Sequence, residues 1–279
     1  MSNLILRGIA LAMLCVAVLP SLLCAQNDPQ FLVVTRVHLS PQRGGTLDEW
    51  KAHEKEYYEK VTQKNDLILS ANVLVHYYTN DNSEVLFSYS YRTWADIEKA
   101  NEKNSDLEKA AWPDEAKRKA FLDKQASFFT STHSDEIYQI LPNTKPFTGT
   151  TEQIYYIRTS HRAFPPDSKP EEITEMVKEY TQNVTQKNSL VKGYYPNRHL
   201  WGSDSRQILE AFVFSSLADM EKSVEENEAL IKAHWPDEAK RKEFFDKYDK
   251  YFENWHGDAL YRHVPELRKQ YQYVAAANK

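Results

Sequence analysis

The spacing of apolar residues changes repeatedly between positions 31 and 265, and each change marks a predicted element. Residues 31–38 and 154–161 are rich in β-branched and aromatic side chains and read as strands. Thr46 with Glu49 three residues on is a capping-box pattern, and Pro170-Glu171-Glu172 places proline and acids where a helix begins. Behind these starts, Trp50, His53, Tyr57 and Val61 fall on one helical face, as do Ile173, Met176, Tyr180 and Val184. Residues 71–79 and 85–91 flank the polar turn Asn80-Asp81-Asn82-Ser83, and 194–201 and 208–214 flank Gly202-Ser203-Asp204, the pattern of two antiparallel hairpins. Residues 94–112 are helical, and Pro113-Asp114-Glu115 restarts a second helix. Residues 135–141 and 258–264 supply last strands, so the predicted order is βαββα(α)β, twice.

The two series are one series repeated. WPDEAKRK at 112–119 reappears unchanged at 235–242, an offset of 123 residues, and the same offset relates VTQKN at 61–65 to 184–188, Ala95-Asp96 to Ala218-Asp219, and Pro142 to Pro265. A constant offset through helices and loops means two copies of one supersecondary unit. The expected division is a leader at 1–25, copies at 26–149 and 150–272, and a tail at 273–279. Only the short segment 143–150 joins the copies, which favours one pseudo-two-fold body over two separate domains.

Composition bounds the setting. Residues 1–25 hold one basic residue, Arg7, an apolar run from Ile9 to Leu23 and a small Ala25, the pattern of a secretory signal peptide. The chain is therefore expected to be exported, to the periplasm or outside the cell, and the apolar run is short for a retained anchor. Both cysteines, Cys15 and Cys24, lie in the leader, so the mature chain is expected to depend on packing, for which 13% aromatic content is ample. A net charge of −5, with both signs interspersed, suggests neither a nucleic-acid nor a membrane partner.

The βαββα(α)β order resembles the ferredoxin-like unit of the dimeric α+β barrel superfamily, which includes antibiotic-biosynthesis monooxygenase-like, EthD-like and NIPSNAP-like families, haem-degrading monooxygenases and chlorite dismutases. In that superfamily two units pair their sheets, usually as two chains. The resemblance implies that this tandem chain builds an α+β barrel by itself. It also raises haem, which such members hold through a helix histidine. His53 lies on the apolar helix face where the second copy has Met176, and Asn104, Asn227 and His234 lie on the later helices.

Candidate chemistry is sparse. His38, His76 and His133 align with His161, His199 and His256, while His53, His234 and His263 stand alone. His133-Ser-Asp135 and His256-Gly-Asp258 read as turns entering the last strands. The copies' differences are more pointed: Arg158 replaces Thr35 and Glu210 replaces Phe87. First and third strands are neighbours in a ferredoxin-like sheet, so these charges suggest a compensated buried ion pair. A barrel interior lined by Phe87, Tyr89 and Tyr91 in one copy and by Glu210, Phe212 and Phe214 in the other would hold a small polar-aromatic pocket. Arg158, Glu210, His199, Tyr156 and His161 are its candidate ligand-binding residues, with Arg158 on an anionic or carbonyl group and Glu210 or His199 handling a proton. The first expectation is thus an exported, cofactor-free barrel that binds a small, partly apolar ligand without catalysis. The alternatives are a monooxygenase-like oxidoreductase, cofactor-free or using haem, and a scaffold that docks a partner on its two WPDEAKRK helices. Monomer and homo-oligomer are equally open.

Overall fold

The computed structural model describes residues 28–40, 42 and 45–271. The expected leader and tail lie outside the described residues. Eight strands form a closed barrel: β1 (Phe31–Leu39), β2 (Ser70–Tyr78), β3 (Glu84–Tyr91), β4 (Phe129–Ile140), β5 (Ile154–Arg162), β6 (Gly193–Trp201), β7 (Gln207–Phe214) and β8 (Phe252–His263). Six helices lie outside it: α1 (Leu47–Lys60), α2 (Trp94–Ala111), α3 (Glu115–Ser127), α4 (Pro170–Tyr180), α5 (Leu217–His234) and α6 (Glu238–Tyr248).

Round the barrel the order is β1-β3-β2-β8-β5-β7-β6-β4, with every pair antiparallel. Each copy thus contributes a four-stranded sheet with its fourth strand beside its first. Pairings of β8 with β2 and of β4 with β6 close the two sheets into one ring. These closing ladders cover residues 137–140 of β4 and 260–263 of β8, which shortens the open edge of a lone ferredoxin-like sheet. Among the described residues no helix is long and apolar enough to cross a membrane.

The helix starts follow the sequence signals. Thr46 and Glu49 form a reciprocal capping box at α1, and Pro170 opens α4. In the repeated WPDEAKRK segments Asp114 and Asp237 cap α3 and α6, each accepting a bond from a backbone N–H three residues on. Arg118 and Arg241 donate back to the carbonyls of Trp112 and Trp235 at 2.9 and 2.7 Å, and these tryptophans pack on Phe121 and Phe244. The segment is a helix start locked to its own loop. VTQKN has an equally local reason. Fully buried Asn65 donates to the Ala100 carbonyl and to Asn104 at 2.9 and 2.7 Å, and Asn188 repeats this with Ser223 and Asn227 at 2.9 and 2.8 Å. Each amide ties the end of one helix to the middle of the next.

Two expectations need correction. The final strands begin earlier than residues 135 and 258: β4 starts at Phe129 and β8 at Phe252, because the pairings Leu39 with Phe129 and Arg162 with Phe252 extend the ladders across bulges. His133 and His256 therefore stand within strands, not turns. Phe87, Tyr89 and Tyr91 do not line the barrel interior either. They pack outward beneath α1 and α2 with Trp50, Tyr58 and Phe128, whereas Leu74, Leu86, Tyr155, Ala211, Val213 and Tyr261 cluster on the lumenal side. Both faces of this sheet are covered, so period-two alternation identifies residues that share a face without telling which face is inner.

The first copy buries one carboxyl among these rings. Glu54 is 4% exposed, accepts a bond from Gln125 Nε2 at 2.9 Å, and has its pKa pushed up to about 7 by burial. The unfolded chain releases this proton near 4.5, so between that pH and about 7 the folded state holds more proton and stability falls as pH rises. The loss should be on the order of 3 kcal/mol. Urea unfolding at pH 5 and pH 8 should show this fall in the native chain and a much flatter profile in Glu54→Gln; equal slopes would contradict the assignment.

Candidate functional site

In the first copy, the space between the outer sheet face and α1 is solid. Trp50 is fully buried and lies edge-on to Phe87 and Phe129, with ring centroids 6.5 and 5.8 Å away. The corresponding space in the second copy is hollow. Ile173 stands where Trp50 stands and Glu210 where Phe87 stands, and a cleft of about 630 Å³ opens beneath α4 and the end of α6. That volume is within the ordinary range for small-molecule sites.

The cleft's roof is Ile173, Thr174, Val177 and Lys178 of α4 with Tyr248 of α6. Its floor is the outward face of the sheet, and the strand register orders the floor into rows. Pro196, Glu210, Arg158 and Asp258 lie side by side across β6, β7, β5 and β8; Arg198, Ile208, Ser160 and His256 form the next row; Arg162 lies one step beyond Ser160. The first copy has Thr35, Val37, Leu39 and Val75 where this floor has Arg158, Ser160, Arg162 and Arg198. Three guanidinium groups therefore occupy places that are neutral in the twin.

Arg158 and Glu210 are direct cross-strand partners, as expected, but they do not form a buried ion pair. Arg158 is exposed and, among the described residues, has no carboxylate within ion-pairing distance; Glu210 Oε1 instead accepts the Tyr194 hydroxyl at 2.5 Å. Burial raises the Glu210 pKa above the ordinary carboxyl value, while the Tyr194 bond and the positive charge of Arg158 act against it. The same carboxylate and the buried setting push the Tyr194 phenol well up.

The remaining candidates divide. Tyr156 shares the outward face but stacks on Phe212 and donates to Asp258 Oδ1 at 2.6 Å, outside the cleft lining. His199 alternates with Pro196 and Arg198 and so projects to the lumenal side, where Nε2 meets Glu136 Oε2 at 2.8 Å; it cannot serve the cleft. His161 is likewise of lumenal parity, held by Asp204 and Glu253 at 2.7 and 3.2 Å, and it reaches the cleft only by backing Trp255, with ring centroids 4.5 Å apart. Sequence reasoning missed Arg162, Arg198, Ser160 and Ile173. The register that singled out Arg158 carried the same signal at each of them.

The haem possibility was tested against the donors present. His53 stacks on Phe121 at 4.0 Å and bonds its carbonyl, His234 pairs with Glu179 at 2.9 Å, and Asn104 and Asn227 are engaged by Asn65 and Asn188. Neither α4 nor α6 contains a histidine. His256, on the floor, meets Asp258 at 3.1 Å. The cleft does not fit a haem ligated from the covering helices. Among the described residues no group of three or more metal-ligating side chains is found.

The hydrogen bond to Glu210 is testable by its sign. Tyr194→Phe should raise the Glu210 pKa further, followed by carboxyl ¹³C NMR titration; a fall would contradict the assigned bond.

No protein-family model matches the sequence, and no curated protein matches it. Solved structures do. A monooxygenase-like protein from Fusobacterium nucleatum subsp. nucleatum superposes with a TM-score of 0.52 at 9% identity, covering 85% of this chain and 94% of that one. A chlorite dismutase variant from Candidatus Nitrospira defluvii gives 0.51 at 13% identity, covering 86% and 94%, and another, in complex with cyanide, gives 0.51 at 13% over 87% and 94%. At such identities the likeness concerns the fold alone. The chain shares the fold of these proteins, an α+β barrel, with both ferredoxin-like units supplied by one tandem sequence.

Proposed function

We propose that this chain is an exported binding protein that holds a small, partly apolar molecule in the cleft beneath α4 and α6. One observation carries the reading: the same scaffold occurs twice, and the space that is plugged by Trp50 and Phe87 in one copy is open and polar-floored in the other. A hollow forfeits packing, and the part-buried charge of Arg162 adds desolvation cost. A hollow of this size is a stability cost that a ligand would offset. Apolar walls from Ile173, Val177, Ile208 and Phe252 suit a flat or branched hydrocarbon portion.

A second reading is supported by Glu210. A carboxyl that keeps its proton above the usual range, bonded to Tyr194 and facing Arg158, could exchange a proton with a bound substrate, as an oxygenase resembling the F. nucleatum protein would require.

Two measurements separate these readings. Ile173→Trp, which copies the plug of the first half, should fold normally and weaken binding of the neutral fluorophore N-phenyl-1-naphthylamine by about tenfold or more. Unchanged affinity would remove the cleft from consideration. Addition of haemin should give no sharp ligated Soret band, and dissolved oxygen should not be consumed with aromatic substrates. A Soret band lost in His256→Ala, or steady oxygen uptake lost in Glu210→Gln, would replace binding by catalysis.

A further inference from the structure

The cleft's charges are not arranged like its counterpart's, and they are not balanced. Arg162 and Arg198 flank the row formed by Ile208 and Ser160, and Arg158 stands one row deeper. Among the described residues none of the three has a carboxylate within ion-pairing distance. Arg198 donates to the neutral amide of Gln139, and Arg162 lies over the Phe164 ring at 5.4 Å. Lys178, at the roof, is occupied by Glu175 at 3.2 Å.

The acids of the cleft do not compensate. Glu210 is bonded to Tyr194 and is held towards its neutral form by burial. Glu253 lines the wall but is bound to Arg206 and to His161. Asp258, beside the floor, takes the Tyr156 hydroxyl and His256, and Asp249 is exposed at the mouth. Like charges are therefore brought together on a partly covered face. Burial, and then the charge of Arg198, lower the Arg162 pKa, which is the signature of a cation lacking its counter-ion.

Resting on the reading that the cleft binds a small molecule, we infer that its ligand is an anion. A carboxylate, sulfonate or phosphate group sits over Ile208 and Ser160 between Arg162 and Arg198, and the apolar body extends towards Ile173 and Val177. The planar guanidinium fork matches such oxyanions geometrically, and a partly desolvated setting strengthens the attraction. Arg158, nearer Glu210, is placed to meet a second polar atom deeper in the cleft. The ligand class is thus an amphipathic organic acid or acid ester, not a neutral hydrocarbon or a cation. The twin half, with Leu39 and Val75 at the places of Arg162 and Arg198, has no such seat.

The test compares two probes of nearly the same shape: anionic 8-anilino-1-naphthalenesulfonate and neutral N-phenyl-1-naphthylamine. At low ionic strength the native chain should bind the sulfonate at least about tenfold more tightly than the amine, and the preference should shrink as salt approaches about 0.15 M. Arg162→Gln with Arg198→Gln should abolish the preference for the sulfonate without lowering the melting temperature, and Ile173→Trp should weaken both probes. Equal affinity of the native chain for the two probes overturns the anion seat and leaves the binding cleft standing. Sulfonate binding that survives Ile173→Trp places the anion elsewhere and also overturns it. Failure of both probes to bind the native chain overturns the cleft reading itself. Benzoate and phenyl phosphate, competing against the sulfonate, then distinguish carboxylate from phosphate as the natural head group.

Discussion

Two reciprocal strand pairings, β4 with β6 and β8 with β2, determine what the rest of the molecule can do. Each copy's last strand lies between its own first strand and a hairpin strand of the other copy. Neither sheet can shift without breaking ladders on both sides. Backbone geometry is therefore shared by the halves, and what distinguishes them must reside in side chains. Because the ring is closed, its lumen is lined jointly by both copies, and the faces on which each half can vary alone are the outer ones, beneath the helices.

On those outer faces the halves have diverged in a coherent direction. The first is a conventional aromatic core in which Trp50, Phe87 and Phe129 interlock, with one buried acid, Glu54, neutral up to about pH 7. The second places charge at neighbouring positions of the floor: Glu210 for Phe87, Arg158 for Thr35, Arg162 for Leu39 and Arg198 for Val75. Ile173 in place of Trp50 withdraws the plug from the roof. The shortened roof residue and the three arginines lie round one cleft.

Much of this was legible in the sequence, and the limits have physical causes. Strand and helix order, the capping box at Thr46, the proline start at Pro170 and the neighbouring places of Arg158 and Glu210 all follow from periodicity and the repeat. Which face those residues occupy does not follow, since a sheet covered on both sides shows apolar residues of both parities. Hence Phe212 and Glu210 are expected from the sequence to face a lumen that Ala211 and Val213 occupy, and His199 to share one interior pocket with Glu210, from which its opposite parity separates it. The ion pair was misjudged for a related reason. Opposite charges on adjacent strands do bond when no better partner exists, but the Tyr194 hydroxyl, at a position where the first copy has Ala71, reaches Glu210 first. Arg162, Arg198 and Ile173 could have been found by carrying the comparison of copies through every outward position.

The central claim is that the second half is the first half's core hollowed for a ligand. Restoring that core tests it most directly: the variant Arg158→Thr, Ile173→Trp, Tyr194→Ala, Glu210→Phe reproduces the first half's side chains at the four places and leaves no orphaned phenol. Its unfolding free energy, from urea titration without added ligand, should exceed that of the native chain by about 1–3 kcal/mol, the gain from filling a cavity and removing desolvated charge. A loss of cooperative unfolding, or a fall in stability of similar size, would mean that the charged cleft is itself a structural element and would contradict the account.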